Sequence, residues 1–549
     1  MALLLFACLP SLASADGPSH PDVPTFPSTT TLTLVRVRVV DIETSRPTPA
    51  MFCLTDSDGR VRVPPDGRIV KESMNRDPFY TGIEFSLAPN WIGPVRDTLV
   101  GRRRSVPYWT EPAMYQMNGE LTFLLPPGRW RAAADHGMEF IPAIEEFQTH
   151  GEPELQVTLG LRRWIDLTRL GWWSGDVHVH HPTQFENHRE FLLQYARAAD
   201  VHVVNVLEMG DNQGTYFKQA GFGARHRAHK GDYWLVSGQE DPRVQSGHII
   251  GLNLSGMVRD PKTYDLCDLA VAGIKRQRRA LSGYAHFAWD GPSIQSGFVW
   301  ITAVETPHFV ELLQFAALNW ADYYEYLNLG FRLTAAAGSD VPWGSTLGEA
   351  RTFVHTGPTL DIEAWFDGLA KGHTFVSNGP FIELRVDGHL PGETLRRSRR
   401  DSVHILARTL SAPHIGPPME LSIDSNEGPL AVATNPDGRM QLTLELDYPT
   451  TRSRWITART LCRRAALAGA LTTPVYILVD GQPHWSRALG PALAGKRIEE
   501  LNRVLKQVRS DGNAPGNAPI VERLERAKVF YQRLQTRMME QAGTASVRP

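Results

Sequence analysis

The sequence predicts a multidomain protein of mixed class, α/β plus all-β: an α/β barrel flanked by two β-sandwich domains, with a short helical tail at the C-terminus. Three observations support this architecture. Residues 31–168 contain short strand-like runs separated by turn signals, without a long amphipathic helix before about residue 165. Over residues 169–378, apolar strand candidates alternate with helical candidates, which is typical of a parallel sheet. Strand patterns return over residues 379–485, and helical periodicity follows over residues 486–549.

Length and composition place the chain among ordinary globular proteins. A chain of 549 residues is too long for one hydrophobic core, and three or four domains are expected at roughly 100–200 residues each. Hydrophobic residues make up 42% of the chain and charged residues 21%, which are common proportions for folded proteins. The formal net charge of -2 gives no electrostatic basis for binding nucleic acid.

The first residues have the pattern of an export signal. An apolar run over residues 1–9 is followed by Ala13-Ser14-Ala15, the small-x-small pattern of a signal-peptidase site. We therefore expect a signal peptide at 1–15, a linker rich in Pro, Ser and Thr at 16–30, and an exported protein, either periplasmic or secreted. Lipid attachment at Cys8 and a buried N-terminal strand are the alternatives. No later run reaches the ~18 apolar residues that a membrane span requires. The cysteines beyond the leader are odd in number and far apart, so no disulfide framework is expected: Cys53, Cys267 and Cys462.

The next segment is predicted to be the first β-sandwich. Residues 32–41 alternate apolar and polar side chains like a half-buried strand. Asn118-Gly119 and Pro126-Pro127-Gly128 are turn signals between further short strands. We therefore predict an antiparallel β-sandwich over residues 31–168.

One short stretch organises the central region, Gly175-Asp176-Val177-His178-Val179-His180-His181. Successive side chains of a strand alternate between its faces, so His178 and His180 point to one side and the two valines to the other. Imidazole nitrogen is a preferred ligand of zinc, iron and related divalent metals, and this spacing allows two imidazoles to reach one ion. A histidine-rich surface strand without metal is the alternative.

Further polar residues stand at the ends of other predicted strands. In α/β barrels the chemistry takes place at the C-terminal ends of the strands, so these residues are expected to converge. A carboxylate can bridge two cations while imidazoles complete each shell, and this composition suits a dinuclear hydrolytic centre. The residues are Asp211, Glu240, His248, His286 and Asp340.

The order of these motifs resembles that of the polymerase-and-histidinol-phosphatase (PHP) superfamily, and more narrowly that of the CehA/McbA metallohydrolases, named for carbaryl hydrolase. The shared elements are the His-x-His strand, a Gly-x-Glu-like element, Gly-His, Ala-His and Gly-Ser-Asp, with supporting matches at 171–176, 372–380 and 473–481. The resemblance runs from about residue 31 to 485. It implies a distorted seven-stranded barrel over residues 169–378 and divalent metal ions (Zn, Mn or Fe) as cofactors. The ligands that it implies are His178, His180, Asp211, Glu240, His248, His286 and Asp340.

Two positions depart from the superfamily pattern. Asn212 follows Asp211 where the second motif usually has His, and Pro342 stands where the last motif usually reads Asp-x-His. The loss of two imidazoles argues against a three-metal cluster and favours two ions.

The resemblance implies a hydrolase in which a metal-activated water cleaves an ester, carbamate or phosphoester bond of a small-molecule substrate. Glu240 is expected to bridge the ions, Asp340 to hold the water or take its proton, and His248 or His286 to stabilise developing charge. Two other classes stay open. One is a degenerate barrel that serves as an exported binding or scaffold module, and the other is a carbohydrate-active enzyme that uses paired carboxylates without metal.

The remaining polar residues of the central region have more modest interpretations. Asp176 and His181 either support the first strand or touch metal or substrate, and both options are open. For His308 a structural role is favoured over a role in the shell around the site. Packing or structural roles are expected for four others: Glu311, Trp320, His355 and His373.

The C-terminal part is predicted to contain the second β-sandwich, over residues 379–485. Residues 497–509 form an amphipathic pattern with opposite charges at spacings of three and four, which is typical of a helix. A Gly/Asn/Pro-rich break at 511–519 precedes a second helix at 520–542. These helices are expected to pack on the sandwich or to form a homodimer contact.

Overall fold

The computed structural model describes residues 31–59, 61–62, 68–69, 85–86, 92–93, 115–211, 214–243, 247–290, 297–341, 346–462, 468–510 and 514–545. The predicted signal peptide at 1–15 and the predicted linker at 16–30 lie outside the described residues, and so do Asn212 and Pro342. The described part is a mixed α/β structure in which many strands belong to large sheets.

Two β-sheets pack face to face in the N-terminal region. One has the strand order β10-β12-β1-β8, and the other contains the path β11-β9-β2-β7. Alternate side chains of the first strand, such as Val35 and Val37, share a core with Phe52 of the opposite sheet. The first sheet is mixed where the sequence predicted an antiparallel one, because the last strand of the region returns parallel to the first. The strands are β1 (Thr33–Asp41), β2 (Ala50–Asp56), β3 (Val61–Arg62), β4 (Arg68–Ile69), β5 (Phe85–Ser86), β6 (Ile92–Gly93), β7 (Tyr115–Met117), β8 (Glu120–Leu125), β9 (Gly128–Asp135), β10 (Phe140–Ile141), β11 (Ala143–Thr149) and β12 (Glu154–Arg163).

The central region alternates strands with helices. Its strands are β13 (Trp172–Val179), β14 (Val203–Gly210), β15 (Thr215–Tyr216), β16 (Ala228–Lys230), β17 (Tyr233–Arg243), β18 (Gly247–Leu252), β19 (Leu281–Tyr284), β20 (Phe309–Gln314), β21 (Ala317–Leu318), β22 (Thr334–Ala337), β23 (Arg351–His355) and β24 (Thr374–Ser377). Its α-helices are α1 (Glu186–Ala198), α2 (Cys267–Lys275), α3 (Phe287–Asp290), α4 (Phe298–Val304), α5 (Trp320–Asn328) and α6 (Ile362–Lys371). Short 3₁₀ helices occur at Thr168–Leu170 and Ala224–His226.

Strand direction brings several strand ends to one edge of the central sheet. β13 pairs in parallel with β14, β14 with β17, β19 with β20, and β20 with β22. β18 runs antiparallel between β17 and β19, so its first residues lie near the last residues of its neighbours. β13 is buried along its whole length, and its Val177 packs with Val203 and Leu207 of β14. This burial explains why the face of the strand opposite the histidines carries apolar side chains, among them Trp173 and Val177.

The C-terminal strands continue the central sheet. β24 pairs with β32, with Phe375 opposite Thr472, so main-chain hydrogen bonds cross the domain boundary predicted at residue 379. A separate three-stranded sheet has the order β25-β27-β30. The strands are β25 (Phe381–Val386), β26 (Thr394–Arg397), β27 (Ser402–Leu410), β28 (Pro418–Ser425), β29 (Gly428–Thr434), β30 (Gln441–Pro449), β31 (Arg454–Cys462), β32 (Ala468–Thr472) and β33 (Val475–Val479).

Two long helices end the described chain, α7 (Gly490–Ser510) and α8 (Ala514–Ala545). Their apolar side chains, including Leu501 and Tyr531, share a core with Ile301 of α4 and Tyr326 of α5. The helices therefore pack largely on helices of the central region. α8 begins inside the segment where the sequence predicted a break, and it contains Pro519. Among the described residues, no helix is both long enough and apolar enough to cross a membrane.

Candidate metal centre

Six polar side chains converge at the edge of the central sheet where the strand ends meet. His178 lies in β13, and His180 is the first residue after the end of β13. The alternation of a strand therefore places both imidazoles on one side. Glu240 lies in β17, opposite Met209 of the parallel neighbour β14. The other three side chains follow or begin neighbouring strands: His248 near the start of β18, His286 just after β19, and Asp340 just after β22.

The carboxylate of Glu240 stands between two groups of side chains. Its Oε2 atom is 3.0 Å from Nε2 of His180 and 3.3 Å from Nε2 of His178. Its Oε1 atom is 2.7 Å from Nδ1 of His248 and 3.3 Å from Nε2 of His286. Each oxygen of one carboxylate therefore faces its own pair of imidazoles.

Asp340 completes the first of these groups. Its Oδ1 atom is 3.3 Å from Nε2 of His178 and 3.5 Å from Nε2 of His180. We call His178, His180, Asp340 and Glu240 Oε2 the first half of the cluster, and His248, His286 and Glu240 Oε1 the second half. Two ligands of one tetrahedral ion with bonds of about 2.0–2.2 Å lie roughly 3.3–3.6 Å apart. The spacing within each half is close to this value, and each half contains a His/Glu group whose ligand atoms all lie within 4.8 Å of one another, so each half could hold one metal ion.

Three of the imidazoles are held by acceptors on their outer nitrogen. An acceptor at Nδ1 fixes the tautomer with hydrogen on Nδ1 and leaves the Nε2 lone pair facing the centre, as in most histidine–metal sites. The acceptors are Glu311 for His178 (3.1 Å), the main-chain oxygen of Leu207 for His180 (3.1 Å) and Oε1 of Gln314 for His286 (2.9 Å).

The imidazoles and carboxylates of the cluster shift one another's pKa values. Burial alone would raise the pKa of Glu240, but the imidazoles of His178 and His248 hold that pKa well below its usual range. Burial alone would lower the pKa of His286, but Glu240 and Asp340 raise it to about 9. The pKa of His178 is likewise raised well above its usual value by Glu311, Glu240 and Asp340, against the effect of burial. The cluster therefore concentrates opposite charges in a buried position.

The backbone around two candidate ligands is unusual. His286 has a φ of 59° and Asp340 a φ of 54°, both in the left-handed region that residues other than glycine rarely adopt. The main-chain N–H of Asp340 donates to the carbonyl of His178, and that of His180 to the carbonyl of Val341. The Gly-Ser-Asp segment is thereby joined to the His-x-His strand. Non-glycine residues in this region cluster at functional sites, where surrounding contacts maintain them.

The structure does not place every predicted ligand in the cluster. Asp211 lies in the turn after β14, where its carboxylate accepts a hydrogen bond from the N–H of Gly214 at 2.8 Å, and no His/Asp/Glu cluster of the described residues includes it. Asn212 and Pro342, the two departures from the family pattern, lie outside the described residues.

Other polar residues of the region have structural contacts. Asp176 is fully buried and accepts hydrogen bonds from the main-chain N–H groups of His178, Ser339 and Gly348, and burial raises its pKa to about 6. It therefore ties the strand of His178 to the segments that contain Ser339 and Gly348. His181 donates from Nδ1 to its neighbour's carbonyl and stacks on a phenylalanine, and His308 hydrogen-bonds to Ser282.

Two residues of the site were missed by the sequence reasoning. Glu311, interpreted as a packing residue, is fully buried and contacts His178, and Gln314 contacts His286. Both lie in β20, a strand that was not predicted. The sequence feature that could have revealed this strand's role is the acidic residue inside the apolar run Phe309–Gln314, because a charged side chain in a buried strand requires a partner.

Comparison with known proteins adds no relative: no family model matches this sequence, no curated protein matches it, and no solved structure matches the fold.

Proposed function

We propose that the protein is a metal-dependent hydrolase that uses a metal-activated water to cleave an ester, carbamate or phosphoester bond of a small-molecule substrate. We further propose that its central region is a distorted seven-stranded barrel of the PHP type, as in the CehA/McbA metallohydrolases that the motifs resemble. The protein would hold two divalent ions, of zinc, manganese or iron.

The position of Glu240 is the observation that carries this proposal. One buried carboxylate with a separate pair of imidazoles at each oxygen is the arrangement that two adjacent cations require of a bridging ligand. Without cations, the same arrangement gathers six titratable side chains within about 3.5 Å of their neighbours, at a considerable cost in desolvation. A metal-binding role gives this burial a physical reason.

The donor set fits the proposed ions. Nitrogen and carboxylate oxygen together suit zinc, manganese and iron, and the described cluster contains no thiolate that would favour a softer metal. Bound divalent ions lower the pKa of a coordinated water towards neutrality and polarise the scissile group. His178, His180, Asp340 and Glu240 would hold one ion, and Glu240, His248 and His286 the other.

The side chains of the cluster divide the remaining work. Glu240 stays ionised, because its neighbours hold its pKa well below the usual range. Asp340 has its Oδ1 atom beside His178 and His180, where it can accept the proton of the attacking water. His248 has a partly exposed side chain and can approach the substrate from the solvent side of the cluster.

The proposal is tested by metal content and a substrate panel. The wild-type protein should purify with transition metal and hydrolyse at least one of a panel of aryl ester, carbamate and phosphodiester substrates, and a chelator should remove both metal and activity. His178→Ala combined with His180→Ala should abolish binding of one ion, whereas His308→Ala, which removes an imidazole bonded to Ser282, should retain both.

Three contrary results would each contradict a different part of the proposal. A metal-poor wild type that loses nothing in the double variant would indicate a binding or scaffold module. Hydrolysis of a glycoside that survives the chelator would indicate a carbohydrate-active enzyme with paired carboxylates. Unchanged metal content in the double variant would remove the His-x-His strand from the metal site.

A further inference from the structure

Glu311 is a carboxylate that contacts residues of both halves of the cluster and meets His178 at Nδ1, whereas Glu240 and Asp340 face its Nε2. It lies in the middle of β20 and is fully buried. Its Oε1 and Oε2 atoms are 3.1 Å and 3.2 Å from Nδ1 of His178, which belongs to the first half. Its Oε2 atom also accepts a hydrogen bond of 2.8 Å from the main-chain N–H of His286, which belongs to the second half.

We propose that Glu311 is a positioning residue that sets the geometry of both metal sites at once, an inference that rests on the proposed metal-dependent function. The side chain of His178 makes its hydrogen bond to Glu311 through Nδ1, and His286 donates its hydrogen bond to Glu311 from the backbone. One carboxylate therefore orients an imidazole of the first half and fixes the chain that carries an imidazole of the second half.

The contact with His178 acts on the ligand atom itself. A carboxylate that accepts the Nδ1–H of a histidine keeps the lone pair on Nε2 and makes that nitrogen a stronger donor to a metal. Nε2 of His178 is the atom that faces Glu240 and Asp340. The charge of Glu311 thus reaches the first site through the imidazole ring.

The contact with His286 acts on the backbone. His286 takes a φ of 59°, and its main-chain N–H donates a hydrogen bond to Glu311. Such a conformation persists where surrounding contacts maintain it. The side chain of His286 is separately oriented by Gln314, which lies three residues after Glu311 in the same strand. β20 therefore supports the second site at both the backbone and the side chain of one ligand.

The glycine of the Gly-Ser-Asp motif leaves the space that this arrangement needs. A Cβ atom at Gly338 would lie 2.6 Å from Oε1 of Glu311 and 2.5 Å from Cβ of His178. Both distances are shorter than real side chains allow. The segment that carries Asp340 therefore passes directly over the Glu311–His178 contact, so three of the ligand-bearing segments are built around this one carboxylate.

Glu311→Gln is the first variant that tests the inference. It keeps the volume of the side chain and one acceptor oxygen but removes the charge. Outer-shell partners of this kind typically change metal affinity by roughly 10–100-fold. Titration of Co²⁺ or Zn²⁺ into chelator-stripped protein should therefore show a rise of roughly 10–100-fold in the dissociation constants of both equivalents. The visible spectrum of the Co²⁺ form should shift as well.

Two further variants separate positioning from folding. Glu311→Asp keeps the charge but withdraws it by one methylene, and it should weaken both equivalents even if the Gln variant does not fold. Glu139→Gln is the matched control, since Glu139 is an equally buried carboxylate whose partners are Arg163 and the N–H of Leu167. It should change the melting temperature of the metal-free protein and leave both dissociation constants and the Co²⁺ spectrum unchanged.

The possible results distinguish this inference from the function on which it rests. Wild-type affinities and an unaltered Co²⁺ spectrum in folded Glu311→Gln or Glu311→Asp would overturn the positioning role and leave the metal centre intact. Weakening of one equivalent alone would overturn the claim that Glu311 serves both halves. A wild-type protein that binds neither ion would instead overturn the proposed function.

Discussion

Replacing Glu240 with Gln should affect the two halves of the cluster unequally. The substitution keeps the volume of the side chain and removes the charge that both halves share. In the first half, Asp340 still supplies a carboxylate beside two imidazoles. The second half keeps only the imidazoles of His248 and His286. We therefore expect the second ion to be lost and the first to be bound more weakly.

The size of the effect follows from the ligands that remain. The second half loses its only carboxylate and keeps two imidazoles, those of His248 and His286. Loss of a residue that only supports a metal ligand typically costs about 10–100-fold in metal affinity, so loss of a charged ligand should raise the dissociation constant of the second ion by at least about 10²-fold. Turnover should fall by about 10²–10⁴-fold, the usual range for the loss of one catalytic group.

The assay is a metal titration of chelator-stripped protein, with equivalents counted by elemental analysis and turnover measured on the substrate that the panel identifies. Glu139→Gln, which replaces a buried carboxyl group bonded to Arg163, controls for the loss of a buried carboxyl group as such. Two results would refute the shared carboxylate: full occupancy with normal turnover in Glu240→Gln, or three tight equivalents in the wild type.

Two other substitutions give independent tests. His248→Ala should empty the second site while the first ion stays bound, because His248 contacts Glu240 Oε1, which belongs to the second half. Elemental analysis of bound metal and turnover measured on the same samples test this. His484→Phe tests a buried histidine in the C-terminal part, whose pKa is lowered from 6.5 to about 4 by burial and by the charge of Arg332. The unfolded chain binds a proton below about pH 6.5 and the folded chain only below about pH 4, so this histidine makes the protein less stable as the pH falls between these values. Between pH 7 and pH 5, the wild type should lose about 2 kcal/mol more free energy of unfolding than His484→Phe, as measured by denaturant titration, and equal losses would show that the ring is protonated in the folded state.

The convergence of the six ligand candidates could be predicted from the sequence because it depends on simple geometry. Strand alternation puts His178 and His180 on one side, and the ends of parallel strands meet at one edge. Local patterns are enough for both inferences. Whether the six residues bind metal is still a prediction.

The contacts of Glu311 could not be predicted in this way. They depend on the strand β20, whose Phe309–Gln314 run is short and was not separated from its surroundings by a turn signal. Its partners His178 and Gly338 are 133 and 27 positions away, and local periodicity carries no information about such pairing. The same limit applies to the hydrogen bonds between β24 and β32, which join the central sheet to strands that were assigned to a separate domain.

The start of α8 shows a second kind of limit. The segment around Pro519 has a composition that disfavours helix, yet it lies inside α8. Propensity is a weak bias, and the apolar face of this helix packs Leu524 and Tyr531 into the core of the central region. Packing of this kind overrides local preference, and it is not visible in the sequence of the segment itself.

Burial across the candidate ligands indicates the side from which a substrate would reach the proposed metal centre. The side chains of His178 and His180 are fully buried, that of His286 is 17% exposed and that of His248 is 33% exposed. The first half is therefore closed by the protein, whereas the second half faces solvent. A coordination position open to water and substrate must lie where ligands are few and exposed, and the second half meets both conditions. In the proposed hydrolase, the ion of the first half would bind tightly and the ion of the second half would exchange more readily. Stepwise removal of metal should therefore abolish turnover when the ion of the second half leaves, while the ion of the first half is still bound.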